Sequence, residues 1–550
     1  MRGIDYLEKN LTQVLKQKSF IDSEDFKIIF ERPKIAEHGD LATNVAMMLA
    51  SQLKRKPRDI AHDIVESLKL DQKIVKSVEI AGAGFINFRF GNGYYHNELQ
   101  EILDTGEKFG KSDSDNKQRI QIEFVSANPT GPLNIVSARA AAVGDVMTNL
   151  FAAVGHEVQR EYYVNDAGRQ VRLLGMSVSA RYMELLGHEE PFPEEGYRGD
   201  YVTDIAQKFV SDYGDKFAML ASEDRWEQLS DLAVETILSE QKQVLDSYRL
   251  NYDNWFSEKT LRASDTHLQV LDKLTKNGFV YEKDGAKWFK SSAFGDEKDR
   301  VLVTGEGEPT YFLVDIAYHA DKYNRNFSKL YDLWGPDHHG YIPRMKAALL
   351  ALGFPQGSFE VNIIQQVNLI RDGEIVKMSK RAGKIIEMKE LIEEVGVDVA
   401  RFFFVARRTQ SPLDFDMDLA KKTSDENPVY YVQYAHARIC NIIKHAAEKG
   451  VDFPQAANLE LLDKEEELTL IKKMMEFPDI IAKAVEYLEP HRIPNYLQEV
   501  AATLHRFYHH HKVVSDDSEL TKARLLLIQG AKIVIANALK LLGVTAPERM

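Results

Sequence analysis

Residues 120–164, IQIEFVSANPTGPLNIVSARAAAVGDVMTNLFAAVGHEVQREYYV, decide the fold. Ile120, Ile122 and Phe124 alternate with polar residues, which predicts a strand that runs into the turn NPTGP at 128–132. An alanine-rich helical stretch follows, and EVQREYYV at 157–164 predicts a second strand. A strand, turn, helix and strand in this order are typical of the start of a parallel nucleotide-binding sheet, in which ligands lie at the carboxyl ends of the strands.

The αβ pattern extends downstream through TYFLVDIAYH (310–319) and LYDLWGPDHHGYIPRMKAAL (330–349). Upstream, Leu7, Leu11 and Val14 recur at helical spacing, and VEIAGAGFINFRF (78–90) alternates like strands around glycines. The polar stretch 106–117 is typical of a linker, and strand signals fade from about residue 400. We therefore expect an α/β plus all-α protein with three parts: a small N-terminal α/β domain (1–115), a Rossmann-like parallel-sheet domain with insertions (116–420) and a C-terminal α-helical bundle (421–550).

The composition is that of an ordinary folded protein, with 44% hydrophobic and 28% charged residues in 550. The single cysteine, Cys440, has no partner for an internal disulfide, which favours a reducing cytoplasm. No signal-peptide pattern begins the chain, and the apolar stretch 525–544 is interrupted by polar residues, so we expect a buried helix there rather than a membrane span. The net charge of −14 excludes a general polyanion binder but not selective binding through a local basic surface.

The segment EIVKMSKRAGK (374–384) follows a strand-like stretch and a turn. Ammonium groups on a mobile loop can follow a triphosphate and neutralise the charge that develops as pyrophosphate leaves. A solvated basic turn is the alternative for these residues taken alone.

Several segments together resemble a known family. KMSKR (377–381) resembles the second signature of class I aminoacyl-tRNA synthetases, and EFVSANPTGPL (123–133) resembles the arginyl-tRNA synthetase form of the first. Further segments are similar to arginyl-tRNA synthetases in the same order along the chain: ERPKIAEHGDLATN (31–44), DIAYH (315–319), GPDHHGYIPR (335–344), VQYAHAR (432–438) and LLGVTAPERM (541–550). The resemblance implies ATP-dependent activation of L-arginine and its transfer to tRNA(Arg), with activation that needs bound tRNA.

The first signature departs from the family pattern. Where the family usually has His-Val-Gly-His, this chain has Asn134-Ile135-Val136-Ser137. Asn134 and Ser137 keep hydrogen-bond donors for ATP phosphates, but Val136 places a branched side chain where close approach of adenine is expected. A catalytically impaired tRNA-binding paralogue is therefore one alternative. A second is another class I ligase, such as the cysteine enzyme, but that fold ordinarily has zinc-binding cysteines and this chain has a single cysteine.

A pocket for arginine needs carboxylates, because a guanidinium presents five donors in a planar fork and is always charged. Glu123 and Asp315 can supply them, and the alternative for each is an exposed acid or a helix cap. The resemblance adds Tyr311 to this pocket and places Ser126 and Asn128 on the main-chain groups of the amino acid.

The resemblance also implies the nucleotide site, with Mg²⁺ arriving with ATP. His338 and His339 are adjacent on a turn, which argues against a protein metal site. The residues implied for catalysis are Asn134, Ser137, Lys377 and Lys380, and those implied for ATP binding are Pro132, Asn134, Val136, Ser137, Asp337, His338, Lys377, Met378, Ser379 and Lys380.

Two segments are candidates for tRNA contacts, and the family implies a monomer. Aromatics interleaved with a cation at 430–438 suit unstacked anticodon bases, although aromatics at helical spacing are also common in cores. The turn at 38–44 resembles a contact to the tRNA elbow, and a helix cap by Asp40 is the competing interpretation. The implied residues are Gly39, Asp40, Asn44, Tyr431, Arg438 and Met550.

Overall fold

The computed structural model describes residues 3–21, 26–31, 33, 35, 38–114, 116–376 and 386–550. The first of these residues form a small α/β layer in which an antiparallel sheet, ordered β1-β2-β4-β3, packs against helices. Leu7, Leu11, Val14 and Leu15 are buried, as their spacing predicts. The elements are α1 (Gly3–Gln17), β1 (Phe30–Glu31), β2 (Leu41–Thr43), α2 (Val45–Leu53), α3 (Pro57–Ser67), β3 (Val75–Ala81), β4 (Phe85–Phe90) and α4 (Asn92–Thr105).

The central part of the chain alternates strands and helices. Its first half contains β5 (Arg119–Glu123), α5 (Ile135–Ala153), β6 (Glu157–Val164), α6 (Arg169–Leu185), α7 (Asp200–Tyr213), α8 (Ser222–Ser247), β7 (Asn254–Ser257), α9 (Glu258–Ala263), α10 (Thr266–Lys276), β8 (Val280–Lys283), β9 (Ala286–Phe289) and β10 (Arg300–Val303). Its second half contains α11 (Tyr311–Asn324), β11 (Lys329–Trp334), α12 (Ile342–Ala351), β12 (Phe359–Ile363), β13 (Val367–Arg371), β14 (Glu374–Ile375), α13 (Met388–Val395), α14 (Val397–Val405), β15 (Leu413–Asp416) and α15 (Met417–Ala420).

A parallel sheet lies at the centre, with the order β12-β11-β5-β6-β7. Its strands are joined by helical crossovers, and apolar residues such as Ile120, Ile122 and Tyr162 are fully buried. The sequence prediction of a Rossmann-like sheet is confirmed. Because all its strands point the same way, the ends of β5, β6 and β11 meet at one edge, where such sheets bind ligands.

Two features of the central part were not predicted in detail. Helices α6, α7 and α8 form an inserted unit with a core of its own, which includes Leu174, Tyr182 and Phe209. Although strand signals fade from about residue 400, the structure has one further strand, β15, which pairs in parallel with β13. That strand is short and takes its hydrogen bonds from residues about 45 positions earlier, so its local pattern carries little signal.

The C-terminal part is helical, as predicted. Its helices are α16 (Pro428–Glu448), α17 (Glu465–Met475), α18 (Phe477–Glu486), α19 (Arg492–His510) and α20 (Ser518–Leu542). Among the described residues, α20 alone has the length and hydropathy of a membrane-crossing helix, and 67% of that stretch is buried inside the protein. Helix α20 therefore has the environment of a core helix.

Helix α5 approaches the sheet closely at Gly144. A Cβ atom at this position would lie 2.2 Å from the ring of Phe124, which is fully buried. Gly144→Ala is therefore expected to lower the free energy of unfolding by about 1–3 kcal/mol through overpacking. Urea unfolding followed by tryptophan fluorescence measures this, and Gly144→Ala combined with Phe124→Leu should recover part of the loss. Equal stability of Gly144→Ala and the unmodified protein would contradict the close approach.

Candidate active site

Strand β5 ends in a tightly held turn. Val125 and Ser126 have φ angles of +69° and +39°, in a region that β-branched residues above all rarely adopt. The Ser126 hydroxyl donates to Glu123 Oε1 at 2.9 Å and accepts from the Tyr163 N–H at 3.1 Å. Because strained backbone persists only where its surroundings hold it, these contacts fix the turn and the carboxylate before it.

Glu123 is a buried carboxylate at this edge of the sheet. It is 8% exposed, so the interpretation as an exposed surface acid is wrong. Lys322 Nζ donates to its Oε2 at 2.6 Å, and the Tyr318 hydroxyl lies 2.9 Å from the same oxygen. Burial raises the pKa of Glu123, and the Lys322 ammonium acts in the opposite direction.

Helix α11 presents a row of polar side chains to this site. Asp315, Tyr318, His319 and Lys322 lie at positions i, i+3, i+4 and i+7, so they share one face of the helix. Lys322 is fully buried and His319 is 1% exposed, whereas 32% of the Asp315 side chain is exposed. Asp315 is therefore the open end of the row, and the remainder extends into the protein.

Asp332 on β11 contacts this row from its buried side. Its Oδ1 accepts from Lys322 Nζ at 3.1 Å, and its Oδ2 lies 2.8 Å from His319 Nε2. The other imidazole nitrogen, His319 Nδ1, lies 3.3 Å from Asp315 Oδ1 and 2.9 Å from the Asp315 carbonyl oxygen. Glu123 and Asp315 thus belong to one hydrogen-bonded cluster, which we call the carboxylate cluster: Glu123, Asp315, His319, Lys322 and Asp332.

The carboxylate cluster contains more acidic than basic side chains. Burial and Lys322 lower the pKa of His319, but Asp332 and Asp315 outweigh them and raise it to about 10. Burial likewise opposes ionisation of Asp332, but Lys322 and His319 hold the pKa of its carboxyl below the usual value. The carboxyl groups of Glu123, Asp315 and Asp332 lie around Lys322 and His319, and that of Asp315 is the most exposed of the three, so it is the one open to a cationic ligand.

Three of these residues were missed by the sequence analysis: Lys322, His319 and Asp332. Two features of the sequence point to Lys322 and Asp332. Lys322 lies seven residues after Asp315 on a predicted helix, and Asp332 interrupts the apolar strand segment LYDLW. A charge in a buried strand is rare unless it is paired, so it marks a site.

The N-terminus of helix α5 lies beside the turn that follows β5. Asn134 is its N-cap residue, and its Oδ1 accepts from the N–H groups of Val136 and Ser137 at 2.9 and 3.1 Å. Val136 is half-buried against the core, and Ser137 is buried. Since a helix N-terminus concentrates unpaired N–H groups and positive potential, it is suited to bind anions such as phosphate.

The basic signature lies outside the described residues, but the chain that follows it returns to this helix terminus. Glu387 forms an antiparallel bridge with Asn134, and the Met388 N–H donates to the Leu133 carbonyl at 2.8 Å. The described chain after the signature is thus held at Glu387 and Met388 next to the start of α5. The predicted residues in the signature itself are Lys377, Met378, Ser379 and Lys380.

Other predicted residues lie on the turns and helix starts next to these elements. Asp337 and His338 are exposed on the turn Pro336–Tyr341, directly after β11. Tyr311 is 70% exposed at the start of α11. The Asn128 side chain donates to Gln170 Oε1 at 2.6 Å. Pro132 is exposed in the turn before α5, so these side chains are accessible to a ligand.

The N-terminal tRNA candidates lie in a constrained turn. Gly39 has a φ of +93°, and a Cβ there would lie 2.6 Å from the Phe88 carbonyl oxygen. The Asp40 carboxylate accepts from the Phe90 N–H at 2.9 Å, so the interpretation of Asp40 as a helix cap is wrong. Asn44 is itself the residue that precedes α2.

The C-terminal candidates lie on α16 and at the last residue of the chain. Tyr431 packs on His505 with ring centroids 4.9 Å apart, and the Arg438 guanidinium lies 4.8 Å above the Tyr508 ring. Met550 is 53% exposed. The aromatic groups at this end are neither fully buried nor fully exposed, which leaves faces available for stacking.

Within the ranges that the structure describes, no group of three or more His, Cys, Asp or Glu side chains is placed to hold a metal ion. His338 and His339 stand apart from such a group.

Comparison with known proteins agrees with this geometry. Three family descriptions match in order: "Arginyl tRNA synthetase N terminal domain" over 5–90, "tRNA synthetases class I (R), catalytic domain" over 98–405, and "DALR anticodon binding domain" over 432–550. A protein of Listeria monocytogenes named arginine–tRNA ligase is 47% identical over 550 residues, which covers 100% of this chain and 99% of the relative. One from Bacillus licheniformis with the same name is 45% identical, with 99% of each covered.

The fold has solved counterparts as well. The Thermus thermophilus arginyl-tRNA synthetase structure matches with a TM-score of 0.76 at 21% identity and covers 99% of this chain and 100% of that one. At this identity the likeness concerns the fold alone. The sequence relatives and the family descriptions carry the assignment, and by them the chain belongs to the arginyl-tRNA synthetase family.

Proposed function

We propose that this protein is an arginine–tRNA ligase, which activates L-arginine with ATP and transfers it to tRNA(Arg). The observation that carries the proposal is the carboxylate cluster at the carboxyl ends of the parallel strands, beside the N-terminus of α5. It combines three carboxyl groups, of which Asp315 is partly exposed, and such acceptors suit a guanidinium. Glu123 and Asp315 would receive the planar fork, and a polar mismatch in such a site rejects neutral analogues strongly.

Ser126 and Asn128 would hold the main-chain groups of the arginine, with Tyr311 covering the pocket. This orientation directs the arginine carboxylate toward the α-phosphate of ATP. An oxygen of that carboxylate attacks phosphorus, the bond to the leaving pyrophosphate breaks, and arginyl-adenylate forms. A hydroxyl of the terminal tRNA adenosine then attacks the adenylate carbonyl and releases AMP. Positioning and electrostatic stabilisation are sufficient for both steps.

The nucleotide would lie between the start of α5 and the turn after β11. Asn134 uses its side-chain oxygen in the helix cap, so its amide NH₂ remains a donor for phosphate, and Ser137 adds a hydroxyl. Pro132 and Val136 would border the adenine, with Asp337 and His338 near the ribose. Lys377 and Lys380, with Met378 and Ser379 between them, would follow the β- and γ-phosphates and the accompanying Mg²⁺.

The three parts of the chain would divide the recognition of tRNA. Residues 1–115 would bind the elbow through Gly39, Asp40 and Asn44, and residues 116–420 would carry catalysis. Residues 421–550 would bind the anticodon through Tyr431, Arg438 and Met550. We propose that the protein works as a monomer in the cytoplasm. The altered first signature motivates a non-catalytic alternative, but the full-length relatives carry the name of the active ligase.

An ATP–pyrophosphate exchange assay with purified protein tests the proposal. Exchange is expected with arginine, ATP and tRNA(Arg) together, and it should stop when arginine is replaced by lysine or citrulline. Omission of tRNA should also stop it, since activation is proposed to need bound tRNA. Binding of tRNA without any exchange would favour the non-catalytic alternative. Exchange without tRNA would contradict only the proposed requirement for bound tRNA.

A further inference from the structure

Asp332 has an unusual position relative to the proposed arginine pocket. Its side chain is 1% exposed, so it lies behind the pocket. Each of its two oxygens serves a different residue: Oδ1 binds Lys322, and Oδ2 binds His319. Lys322 then binds Glu123 at 2.6 Å, and His319 reaches Asp315 at 3.3 Å. One buried carboxylate is thus connected to both proposed arginine ligands through two separate cations.

We propose that Asp332 is a positioning residue for arginine recognition, which fixes Glu123 through Lys322 and Asp315 through His319. This inference rests on the proposed function, because it concerns the same pocket. It adds three residues to that pocket, namely Asp332, Lys322 and His319, and it assigns them a role without substrate contact.

The physical reason is the geometry that a guanidinium demands. Its donors point in fixed directions in one plane, so the two acceptor carboxylates must be held at a set separation and orientation. Glu123 lies on a strand and Asp315 on a helix, and Tyr318 and Lys322 of that helix bond Glu123 directly. Asp332 lies on the neighbouring strand β11, and its bonds to Lys322 and His319 add a constraint on both side chains from the rigid sheet.

Stability is a poor explanation for the same arrangement. Taking Asp332, Lys322 and His319 out of water has a desolvation cost that their mutual attraction rarely exceeds by much, and apolar residues of similar volume often stabilise a core at least as well. A network that gives little stability but orients two carboxylates at the mouth of a site is better accounted for by recognition. A change at Asp332 is therefore expected to raise the KM for arginine selectively.

Asp332→Asn tests this in the exchange assay. The change keeps the shape of the side chain but weakens both connections, so KM for arginine should rise about tenfold or more, the loss of roughly one charged hydrogen bond. The kcat and the KM values for ATP and tRNA should stay within about twofold, since their sites are formed by other residues. Glu360→Gln is the matched control, because Glu360 lies on the adjacent strand β12 in a partly exposed pair with Lys346, and its arginine KM should not change.

An arginine KM within twofold of the unmodified protein would overturn the proposal, as would an equal rise in all three KM values. Should Asp332→Asn fail to fold, His319→Gln decides in its place. It removes the His319 contacts with both Asp332 and Asp315 and leaves the Lys322 ion pairs in place, so a smaller rise confined to arginine is expected, and an unchanged arginine KM would overturn the proposal. The proposed function is judged separately, by whether the unmodified protein shows arginine-dependent exchange.

Discussion

Asp315→Asn is expected to raise the arginine KM about 100-fold, because truncation of one partner in a desolvated charge pair costs roughly 2–5 kcal/mol. Asp315 is the open end of the carboxylate cluster, with His319 on one side of its carboxylate and the Tyr341 hydroxyl hydrogen-bonded to it. Asparagine would turn an NH₂ group toward the donors of the guanidinium. It would also remove the negative charge of the carboxylate that is open to the ligand.

The measurement is arginine-dependent exchange at saturating ATP and tRNA. Asp321→Asn is the matched control, because Asp321 lies on the same helix and its side chain is 30% exposed, close to the 32% of Asp315. Its ion pair is with Arg325, outside the carboxylate cluster, so its arginine KM should stay within about twofold of the unmodified protein, as for surface changes in general. An Asp315→Asn variant with full arginine affinity would show that the pocket lies elsewhere.

The sequence pattern was sufficient to predict the architecture. Alternation at Ile120 and Ile122, a turn and an alanine-rich helix identify a parallel sheet because each of these signals is local. Strand β15 was not predicted because its signal is not local: its four residues form a strand by pairing with β13, which is distant in the sequence. The inserted helices α6 to α8 have ordinary amphipathic patterns. Such a pattern does not indicate whether a helix packs on the other helices or on the sheet.

Some residues of the site can likewise be predicted from local sequence, whereas others are brought together only by packing. Glu123 and Asp315 could be proposed because their segments resemble a family. The partners Lys322 and Asp332 could not be paired from sequence, as they lie on a helix and a strand ten residues apart, and burial of both side chains is what brings them into contact. Their pairing also explains why the Glu123 carboxylate, although buried, can serve as a ligand.

A buried guanidinium takes part in joining the C-terminal helices to the catalytic part of the chain. Arg401 on α14 is fully buried and donates to the Leu542 and Tyr248 carbonyl oxygens at 2.8 and 3.0 Å and to the Asp145 carboxylate. The end of α20 fits closely around it, since a Cβ at Gly543 would lie 2.4 Å from Arg401 Nη2. Arg401 therefore links α5, α14 and the last helix of the chain.

Arg401→Met is expected to lower the free energy of unfolding by about 3–5 kcal/mol, because it leaves Asp145 Oδ2 and two backbone carbonyls without their buried donor, while Arg160 still pairs with Asp145 Oδ1. Urea unfolding, with limited proteolysis to detect release of α20, measures the effect. Arg408→Met is the matched control: its side chain is 69% exposed and pairs with Glu489 at 3.7 Å, so a change within about 0.5 kcal/mol is expected. Since methionine fills much of the volume of arginine, a large difference between the two variants isolates the hydrogen bonds. Equal stability of the two variants would mean that the helices are held to the sheet by apolar packing instead.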